Sequence, residues 1–528
     1  ALGAATGATT GAATTATTTA SAPTTTSVST APAVLAFTGH GWGHGLGLSQ
    51  WGAYGYAQHG WTFDRILGHY YAGTTLGSTK VITVRVLVAQ EKTVSVTASS
   101  AWSVVDAAGT KLTLGAGTVA LGVPLAVEGT ALEAPLTLTA KEPLSVDGRA
   151  YRGSITIAID GPLLDAVDSV GLEGYLKGVV PEEMPSTWPG QALDAQAVAA
   201  RSYALANRMK GRPFDLYGDT RSQVYGGVAA ETAAASAAVD ATKGQVALYG
   251  GKVADTLFFS SSGGSTVSAL EATGVDIPYL ISVPDPYDTY SPYHDWGPVL
   301  LDAGAVAKQL KLTAPISDLS VTDGPSGRVK SLVLTSQDDS QATFTGNQLA
   351  NALGLRSTWF TPVLLQLGPT AKSITYGGAA TLSGAVRGGV AVSLEAKAAG
   401  LDWAPAGDVT LAPDGTYAQL VRPKVTTWYR LAWGAARAGL AKITVAARVV
   451  ATVDGAAVQG TVRPVTPAAP VELQRRGPDG SWSVLSQAVT DATSAWSFAG
   501  PLQAGTYRVR AVPGHGVAAG LSAAFTIQ

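Results

Sequence analysis

The sequence contains no cysteine, little charge and no long apolar run. Its 528 residues include 35 Lys and Arg against 37 Asp and Glu, so the formal net charge is −2, and charged residues make up only 14% of the chain. The lack of cysteine excludes disulfides, thiolate metal sites and thiol nucleophiles. A chain so close to neutrality has no field with which to hold nucleic acid or an anionic membrane. No run of 18 apolar residues occurs that would span a bilayer.

The N-terminal segment is compositionally distinct from the rest of the chain. The sequence begins at Ala1 rather than at methionine, so we expect a processed, secreted and soluble protein rather than a cytosolic one. Residues 1–33 are almost entirely Ala, Thr, Gly and Ser. Such a segment buries too little apolar surface to offset its ordering entropy. A linker arm is therefore predicted over residues 1–36.

Mixed helix and strand signals predict an α+β domain over residues 37–366. Lys80–Gln90 alternates its side chains with period two, which is typical of a strand. Pro189–Met209 is the clearest helix, and Ala229–Lys243 is a second one. Further short elements are predicted at Gln245–Tyr249, Lys252–Phe259, Ala305–Leu310 and Asn347–Leu353.

After residue 367 the signals become purely β, and an internal repeat of roughly 80 residues emerges. Three pairs of segments match between the copies: Ser383–Arg387 with Gln459–Arg463, Trp403 with Trp482, and Trp428–Arg430 with Thr506–Arg508. Two all-β Ig-like sandwich domains, residues 367–447 and 448–528, are predicted. They contain no catalytic set, so we interpret them as spacers or adhesive modules.

Two adjacent carboxylates stand just ahead of the long helix, in the segment GLEGYLKGVVPEEMPSTWPG (171–190). Glu182 and Glu183 lie between apolar neighbours. A carboxylate held against apolar surface has a raised pKa, which a general acid for glycosidic cleavage needs. The alternative is that acidic residues merely precede a helix N-terminus, where the helix dipole favours them. The residues alone leave both interpretations open.

Residues 37–77 are rich in glycine, aromatic residues and histidine. Glycines at 39, 41, 43, 45 and 47 predict positive φ angles or a close approach of the backbone to a ligand. Because glycine alternates with His40 and His44, a helical i, i+4 metal pair is not expected. A structural or substrate-contacting role is favoured for these histidines. His59 and His69 lie in predicted helices and are interpreted as packing or surface residues.

Two polar segments, DTRSQVYGG (219–227) and FFSSSGGSTV (258–267), accompany these blocks. Ser262-Gly263-Gly264 resembles a backbone nest beside hydroxyl groups, with a plain turn as the alternative. No His or Asp partner stands out for Ser261 or Ser262, so a serine nucleophile is not expected.

Together these blocks resemble the family of stage II sporulation protein D and LytB, the amidase-enhancer proteins. The resemblance covers about residues 37–365. It rests on GYLKGVVPEEMP, ALDAQAVAARSYAL, SQVYGG, FFSSSGGSTV, PYLISV, ALGLRSTWF and GWGHGLGLSQWGAYGYAQHG. In the sporulation proteins the GWGHG block usually follows the LGLRS-like block, whereas here it comes first, so the order is permuted. We therefore expect Phe37–Gly77 to pack against the region around Ala350–Pro362.

The resemblance implies a lytic transglycosylase that cleaves denuded peptidoglycan glycan strands. Glu183, immediately before Met-Pro, matches the single catalytic acid and base, and Glu182 is the weaker candidate. The substrate's own C6 hydroxyl would be the nucleophile, giving 1,6-anhydro-muramyl ends. Substrate contacts are expected from Gln223, Tyr225, Ser262, Gly263, Gly264, His44 and Gln50, with Trp42, Trp51 and Trp188 as aromatic platforms.

No cofactor is expected, and no metal. Some family members bind zinc through Cys and His near the segment that here reads Asp219, Thr220, Arg221 and Ser222. The expected partners are peptidoglycan glycan strands and a cell-wall amidase, at an extracellular or cell-wall location.

Two other functions remain open. One is a non-catalytic glycan-binding protein that stimulates an amidase, as LytB-type members are credited with doing. The other is a structural cell-surface subunit of a sheath or filament, which would self-assemble through the N-terminal arm and the Ig-like repeats.

Overall fold

The computed structural model describes residues 32–454 and 457–528 of a β-rich chain with a few helices. Most of the predicted arm, residues 1–31, lies outside the described residues. The helices are α1 (Gln50–Gln58), α2 (Phe63–Tyr70), α3 (Leu172–Lys177), α4 (Val180–Glu183), α5 (Gly190–Ala206), α6 (Ala233–Ala241), α7 (Ala269–Thr273), α8 (Ala303–Gln309) and α9 (Gly346–Leu353). Within the described ranges, no helix is both long and apolar enough to cross a membrane.

The largest sheet consists mainly of strands that precede the long helix in the chain, although Leu216–Tyr217 follows it. Its seven strands, in spatial order, are Leu216–Tyr217, Thr83–Glu91, Leu163–Gly171, Ser154–Asp160, Leu136–Ala140, Trp102–Val105 and Lys111–Leu114. A neighbouring four-stranded sheet contains Arg149–Tyr151, Leu144–Val146, Thr93–Ala98 and Gly117–Gly122. Smaller sheets pair Ala126–Val127 with Thr130–Ala131, Leu48–Ser49 with Phe258–Phe259, and Gln245–Tyr249 with both Thr75–Ser78 and Lys252–Val253.

Helix α5 runs through the centre of the main core. It is buried on nearly every side, from Ala192 to Ala204, because its small residues let α1, α2 and α6 approach closely. Its one buried charge, Arg201, pairs with Glu173 of α3. The predicted helix over 189–209 is confirmed, with the bounds Gly190–Ala206 in the structure.

Two predicted elements start or break differently from expectation. The second helix begins at Ala233 rather than Ala229, because Thr232 caps it by accepting from the Ala235 amide. The predicted strand Lys252–Phe259 is two short strands, 252–253 and 258–259. Between them Thr256 donates to the carbonyl of Ala199 at 2.7 Å, which ties this segment to α5 instead of a sheet partner.

The N-terminal strand Ala33–His40 lies inside a sheet made by distant parts of the chain. It pairs antiparallel with Asp295–Asp302 on one side and with Phe360–Gln366 on the other. Beyond it, the Gly43 amide donates to the carbonyl of Arg356 at 2.9 Å. The predicted packing of this block against the region around 350–362 is therefore confirmed.

This sheet also continues across the predicted boundary at 366/367. Phe360–Gln366 pairs with Ala380–Arg387, which in turn pairs with Gly368–Pro369 and Thr416–Val421. A separate three-stranded sheet, Ile316–Asp323, Val329–Ser336 and Gln341–Thr345, packs with α8 and α9.

The two C-terminal segments share part of their strand pairing, since Ser393–Ala398 and Pro470–Arg476 each lie between two equivalent neighbours. The first contains Ser373–Thr375, Ala436–Ala446, Thr427–Trp433, Ser393–Ala398 and Ala404–Asp408 as a sheet. The second contains two sheets. One consists of Trp482–Val489, Pro470–Arg476, Gly505–Ala511, Gly520–Leu521 and Phe525–Ile527. The other consists of Arg448–Asp454, Ala457–Arg463 and Ala495–Phe498.

Equivalent side chains occupy equivalent places in the two copies. Arg430 lies 4.0 Å from the ring centroid of Trp403, and Arg508 lies 4.2 Å from that of Trp482. Each arginine also donates to the residue opposite it on the neighbouring strand. The internal repeat read from the sequence is thus reproduced in its contacts.

Candidate functional site

Glu183 is the last residue of the short helix α4 and lies among apolar neighbours. Val180 and Met184 on either side are buried, Glu183 is half-buried, and Glu182 is exposed. Burial raises the pKa of Glu183, a hydrogen bond from Gln50 lowers it in part, and the charge of Glu182 raises it further. A carboxyl with these neighbours holds its proton to higher pH than a free glutamate does, as a general acid requires.

Gln50 is the predicted substrate residue that reaches Glu183. Its Nε2 donates to Glu183 Oε2 at 3.4 Å. Gln50 is the first residue of α1, which Ser49 caps by accepting from the Gly52 amide. The start of α1 therefore fixes the position of this carboxamide beside the carboxylate.

The glycine-rich loop before Gln50 has the backbone predicted for it. Gly41, Gly43, Gly45 and Gly47 all have positive φ, from 70° to 113°. A Cβ on Gly41 would lie 2.5 Å from the Ser261 carbonyl oxygen. Only glycine fits this conformation and this close packing. Positive φ is thus confirmed at these four positions, whereas Gly39 lies in the strand Ala33–His40 without it.

Aromatic side chains gather on α1 and on the loop after Glu183. The ring centroid of Trp188 lies 4.7 Å from that of Trp51 and 5.0 Å from that of Tyr54. Tyr290 extends the group from the other side and is 48% exposed. Two of the predicted platforms, Trp51 and Trp188, thus lie together, whereas Trp42 packs edge-on against Tyr293 at 4.5 Å.

Two tyrosines flank Glu183 from the core side. Burial raises the pKa of Tyr175 and of Tyr203, and the charge of Glu183 contributes to both shifts. Tyr175 is fully buried and donates to Gln223 Oε1 at 3.1 Å. Gln223, itself buried, donates to the carbonyl of Ala200 at 3.3 Å. Gln223 therefore lies behind Tyr175 and supports it.

Tyr225 also lies in the interior. It is 1% exposed and donates to Asp168 Oδ2 at 3.0 Å. Burial raises the pKa of Asp168 to about 7, against the lowering effect of this hydrogen bond. Gln223 and Tyr225, which the sequence predicts as sugar-contacting residues, thus make their hydrogen bonds to other groups of the protein.

The Ser262-Gly263-Gly264 nest holds a carboxylate of the protein itself. The amides of Ser262 and Gly263 each donate to Asp288 at 2.8 Å. The hydroxyls of Ser49 and Ser261 also donate to Asp288, and His294 Nδ1 lies 3.0 Å from it. These contacts fit a nest better than a plain turn. The anion in the nest is the carboxylate of Asp288, so these residues hold the loops around Gln50 in position.

A second buried carboxylate lies beside the first. Asp285 accepts from the Ser262 hydroxyl at 2.8 Å, and burial together with the charge of Asp288 raises its pKa to about 7. Gly52 of α1 leaves the room for this group, because a Cβ there would meet Asp285 and Tyr70 Oη.

His44 is fixed as one neutral tautomer. Its Nδ1 accepts from the Leu46 amide at 3.0 Å, so the proton is on Nε2, which donates to the Phe258 carbonyl at 3.0 Å. Burial lowers the pKa of this imidazole. His40 instead contacts Asp295, at 2.6 Å from Nδ1 to Oδ1. His59 stacks on Tyr287, and His69 Nε2 lies 3.0 Å from Tyr56 Oη. Both contacts agree with packing roles.

No group of three or more His, Cys, Asp or Glu side chains that could hold a metal ion occurs in the part of the chain that the structure describes.

Sequence reasoning missed the internal acids and the supporting tyrosines. Asp285 and Asp288 stand three apart in PDPYD (284–288), a spacing that could have indicated a paired role beside the Ser-Gly-Gly loop. Tyr175 stands in the GYLKG segment (174–178), but its partner Gln223 is distant in the chain.

Residues 162–249 match the family model described as stage II sporulation protein. An uncharacterized protein of Brachyspira hyodysenteriae is 39% identical over 26% of this chain and 39% of its own length. The amidase enhancer of Bacillus subtilis is 32% identical over 39% of this chain and 29% of its own length. Stage II sporulation protein D of Bacillus subtilis is 28% identical over 44% of this chain and 72% of its own length.

Proposed function

Because this chain contains a domain of the family of stage II sporulation protein D and LytB, as its sequence predicted, we propose that it acts on the bacterial cell wall as a secreted peptidoglycan lytic transglycosylase. Its substrate is the denuded glycan strand. The observation that carries the proposal is the half-buried Glu183, whose pKa burial raises and whose carboxylate meets the Gln50 carboxamide.

In this proposal one carboxyl group performs both proton transfers. Protonated Glu183 donates to the glycosidic oxygen as the bond from N-acetylmuramic acid to the next sugar breaks. The resulting carboxylate takes the proton of the C6 hydroxyl of the same muramic residue, whose oxygen closes onto C1. The products are a 1,6-anhydro end and a free hydroxyl on the leaving sugar, and Glu183 regains its proton.

The neighbours of Glu183 have supporting roles. Burial favours the protonated form of the acid before cleavage, and the Gln50 amide stabilises the carboxylate that follows. The partly exposed rings of Trp51, Tyr54 and Trp188 offer apolar faces for sugar rings.

The test uses purified full-length protein on denuded glycan strands, with mass spectrometry of the ends. Wild type should yield anhydro-muramyl products, and Glu183→Gln should lower the rate by at least about 100-fold, since general acid–base catalysis contributes on that order. Glu182→Gln, one residue away and exposed, is the matched control and should keep most of the activity. Equal rates for Glu183→Gln and wild type would refute the proposal.

A second candidate function is stimulation of a cell-wall amidase, which the similarity to the amidase enhancer of Bacillus subtilis suggests. It needs glycan or amidase contact without bond cleavage. Under this alternative, Glu183→Gln would stimulate an added amidase as well as wild type does, and no anhydro ends would form.

The two C-terminal repeats fit a spacer role in either case. We propose that residues 367–447 and 448–528 are Ig-like modules that extend from the α+β domain. The shared sheet through Phe360–Gln366 and Ala380–Arg387 would hold the first of them against that domain.

A further inference from the structure

A cavity of about 370 Å³ lies beside the glycine-rich loop, where α7, α9 and the strand Val329–Ser336 meet. Its lining includes Arg328, Lys330, Glu271, Thr358, Asn347 and His44. The volume falls in the range of small-ligand sites, roughly 300–1,000 Å³. His44 lines this cavity, and Gln50, six residues later at the start of α1, contacts Glu183.

Arg328 is a buried cation with incomplete bonding. It is 6% exposed, and its Nη2 donates to the carbonyls of Ser265 at 2.8 Å and Ser262 at 3.2 Å. Its buried Nη1 has no hydrogen-bond partner, and no carboxylate lies within ion-pair distance, among residues 32–454 and 457–528. The Trp359 ring, 4.9 Å from the guanidinium carbon, and the charge of Glu271 offset the burial of this cation only in part. An anionic ligand would therefore compensate it further.

The other lining groups indicate what kind of anion fits. Glu271 is engaged by the Ser326 hydroxyl at 2.7 Å, and its negative charge disfavours a doubly charged ligand such as phosphate. Burial lowers the pKa of Arg328 to about 10, so it stays charged at neutral pH. Thr358 and Asn347 add hydroxyl and amide groups suited to sugar hydroxyls.

We propose that this cavity binds the free carboxylate of an acidic sugar, namely the lactyl carboxylate of a muramic acid residue, with Arg328 as its main partner. The inference rests on the proposed function for the identity of the sugar. In peptidoglycan this carboxylate is free only where the stem peptide has been removed, because the peptide is attached through it as an amide. Arg328 would then select denuded strands by the charge of the lactyl group, which that group loses when it carries a stem peptide.

The test measures binding to the full-length protein by titration calorimetry. The probes are N-acetylmuramic acid, its neutral lactyl methylamide, N-acetylglucosamine and inorganic phosphate. The acid should bind at least about tenfold more tightly than the other three, because hydrogen bonds to charged groups contribute on the order of that factor or more. Equal affinity for acid and methylamide, or tighter binding of phosphate, would overturn the proposal.

Two variants locate the site. Arg328→Met should abolish the preference for the acid. Since Arg328 also holds two carbonyls, a second variant, Asn347→Trp, fills the cavity mouth from an exposed position on α9 without touching Arg328. Asn351→Trp, one turn further along α9 and also exposed, is its matched control. Loss of binding in Asn347→Trp but not in Asn351→Trp is the expected result, and unchanged binding in Asn347→Trp overturns it.

The two proposals fail separately. If Glu183→Gln binds N-acetylmuramic acid as wild type does while wild type forms no anhydro ends, the carboxylate site stands and the transglycosylase assignment falls. If wild type cleaves denuded and peptide-bearing strands at equal rates and does not distinguish acid from methylamide, only the carboxylate site falls.

Discussion

Gln50 and Glu183, 133 positions apart in the chain, meet through a hydrogen bond from the Gln50 amide to the Glu183 carboxylate. One residue begins α1 and the other ends α4. This pair couples the glycine-rich loop to the acid that we propose is catalytic, so its removal should change how Glu183 titrates.

Gln50→Leu should raise the pKa of Glu183, because the amide stabilises the charged carboxylate and so holds the pKa down. The acid must be protonated before cleavage, so the alkaline limb of the pH–rate profile of kcat/KM should move to higher pH. Gln58→Leu, at the exposed end of the same helix, should leave the limb in place. A shift to lower pH in Gln50→Leu would contradict this role.

Asp285→Asn should reduce the pH dependence of stability. Its pKa is about 7 in the folded protein and about 3.9 in an unfolded chain, so between these values the folded state binds more protons. The free energy of unfolding should therefore fall as pH rises from about 4 to about 7, by roughly 1–4 kcal/mol for such a carboxyl. Asp168, with a pKa also raised to about 7, acts in the same direction.

Urea unfolding at pH 5 and pH 8 measures this difference. The decrease between the two pH values should be smaller in Asp285→Asn than in wild type, while Asp276→Asn, on an exposed loop, should match wild type. An undiminished decrease in Asp285→Asn would show that its carboxyl is not the source.

Gly47→Ala should destabilise the fold far more than Gly60→Ala. Both glycines have positive φ, 72° and 78°, which costs an alanine about 1–2 kcal/mol. At Gly47 a Cβ would also meet the Leu257 carbonyl oxygen and Tyr71, whereas at Gly60 nothing lies within 4 Å. Calorimetric unfolding should show a loss of about 3 kcal/mol or more for Gly47→Ala. Equal losses at the two positions would mean that the loop can move away from Leu257.

The Trp403–Arg430 and Trp482–Arg508 pairs should have equal coupling energies, about 0.5–1 kcal/mol each. The two pairs have nearly the same geometry, and each arginine occupies the same place in its repeat. Double-mutant cycles with Trp→Leu and Arg→Met, one in each repeat, measure the coupling directly. A coupling in one repeat but not in the other would show that the stacking is incidental.

The local elements were predictable because their signals are local. A run of small and apolar residues after Pro189 predicts the long helix. The alternating glycines predict the positive φ angles of their loop. The family resemblance also singled out Glu183, and the permuted order correctly predicted that the N-terminal block packs near residue 360.

The burial of the other predicted site residues was not predictable in the same way. Gln223 and Tyr225 look like surface polar groups in a Gly- and Ser-rich segment, and only the folded chain shows their bonds to Tyr175 and Asp168. Likewise, the Ser-Gly-Gly nest signals that an anion is held. Whether that anion is a ligand or, as here, the carboxylate of Asp288 depends on how a more distant segment folds against the nest.

The position of the strand Ala33–His40 has a consequence for how the protein comes to be folded during synthesis. Leu35 pairs with Leu301 on one side and Leu364 on the other, so its neighbours emerge from the ribosome long after it does. Closing a loop of roughly 330 residues makes this step slow compared with the formation of local hairpins. The strand Ala33–His40 therefore lacks its second neighbour until the chain has been made past Gln366, and a truncation before that point should leave it paired only with Asp295–Asp302.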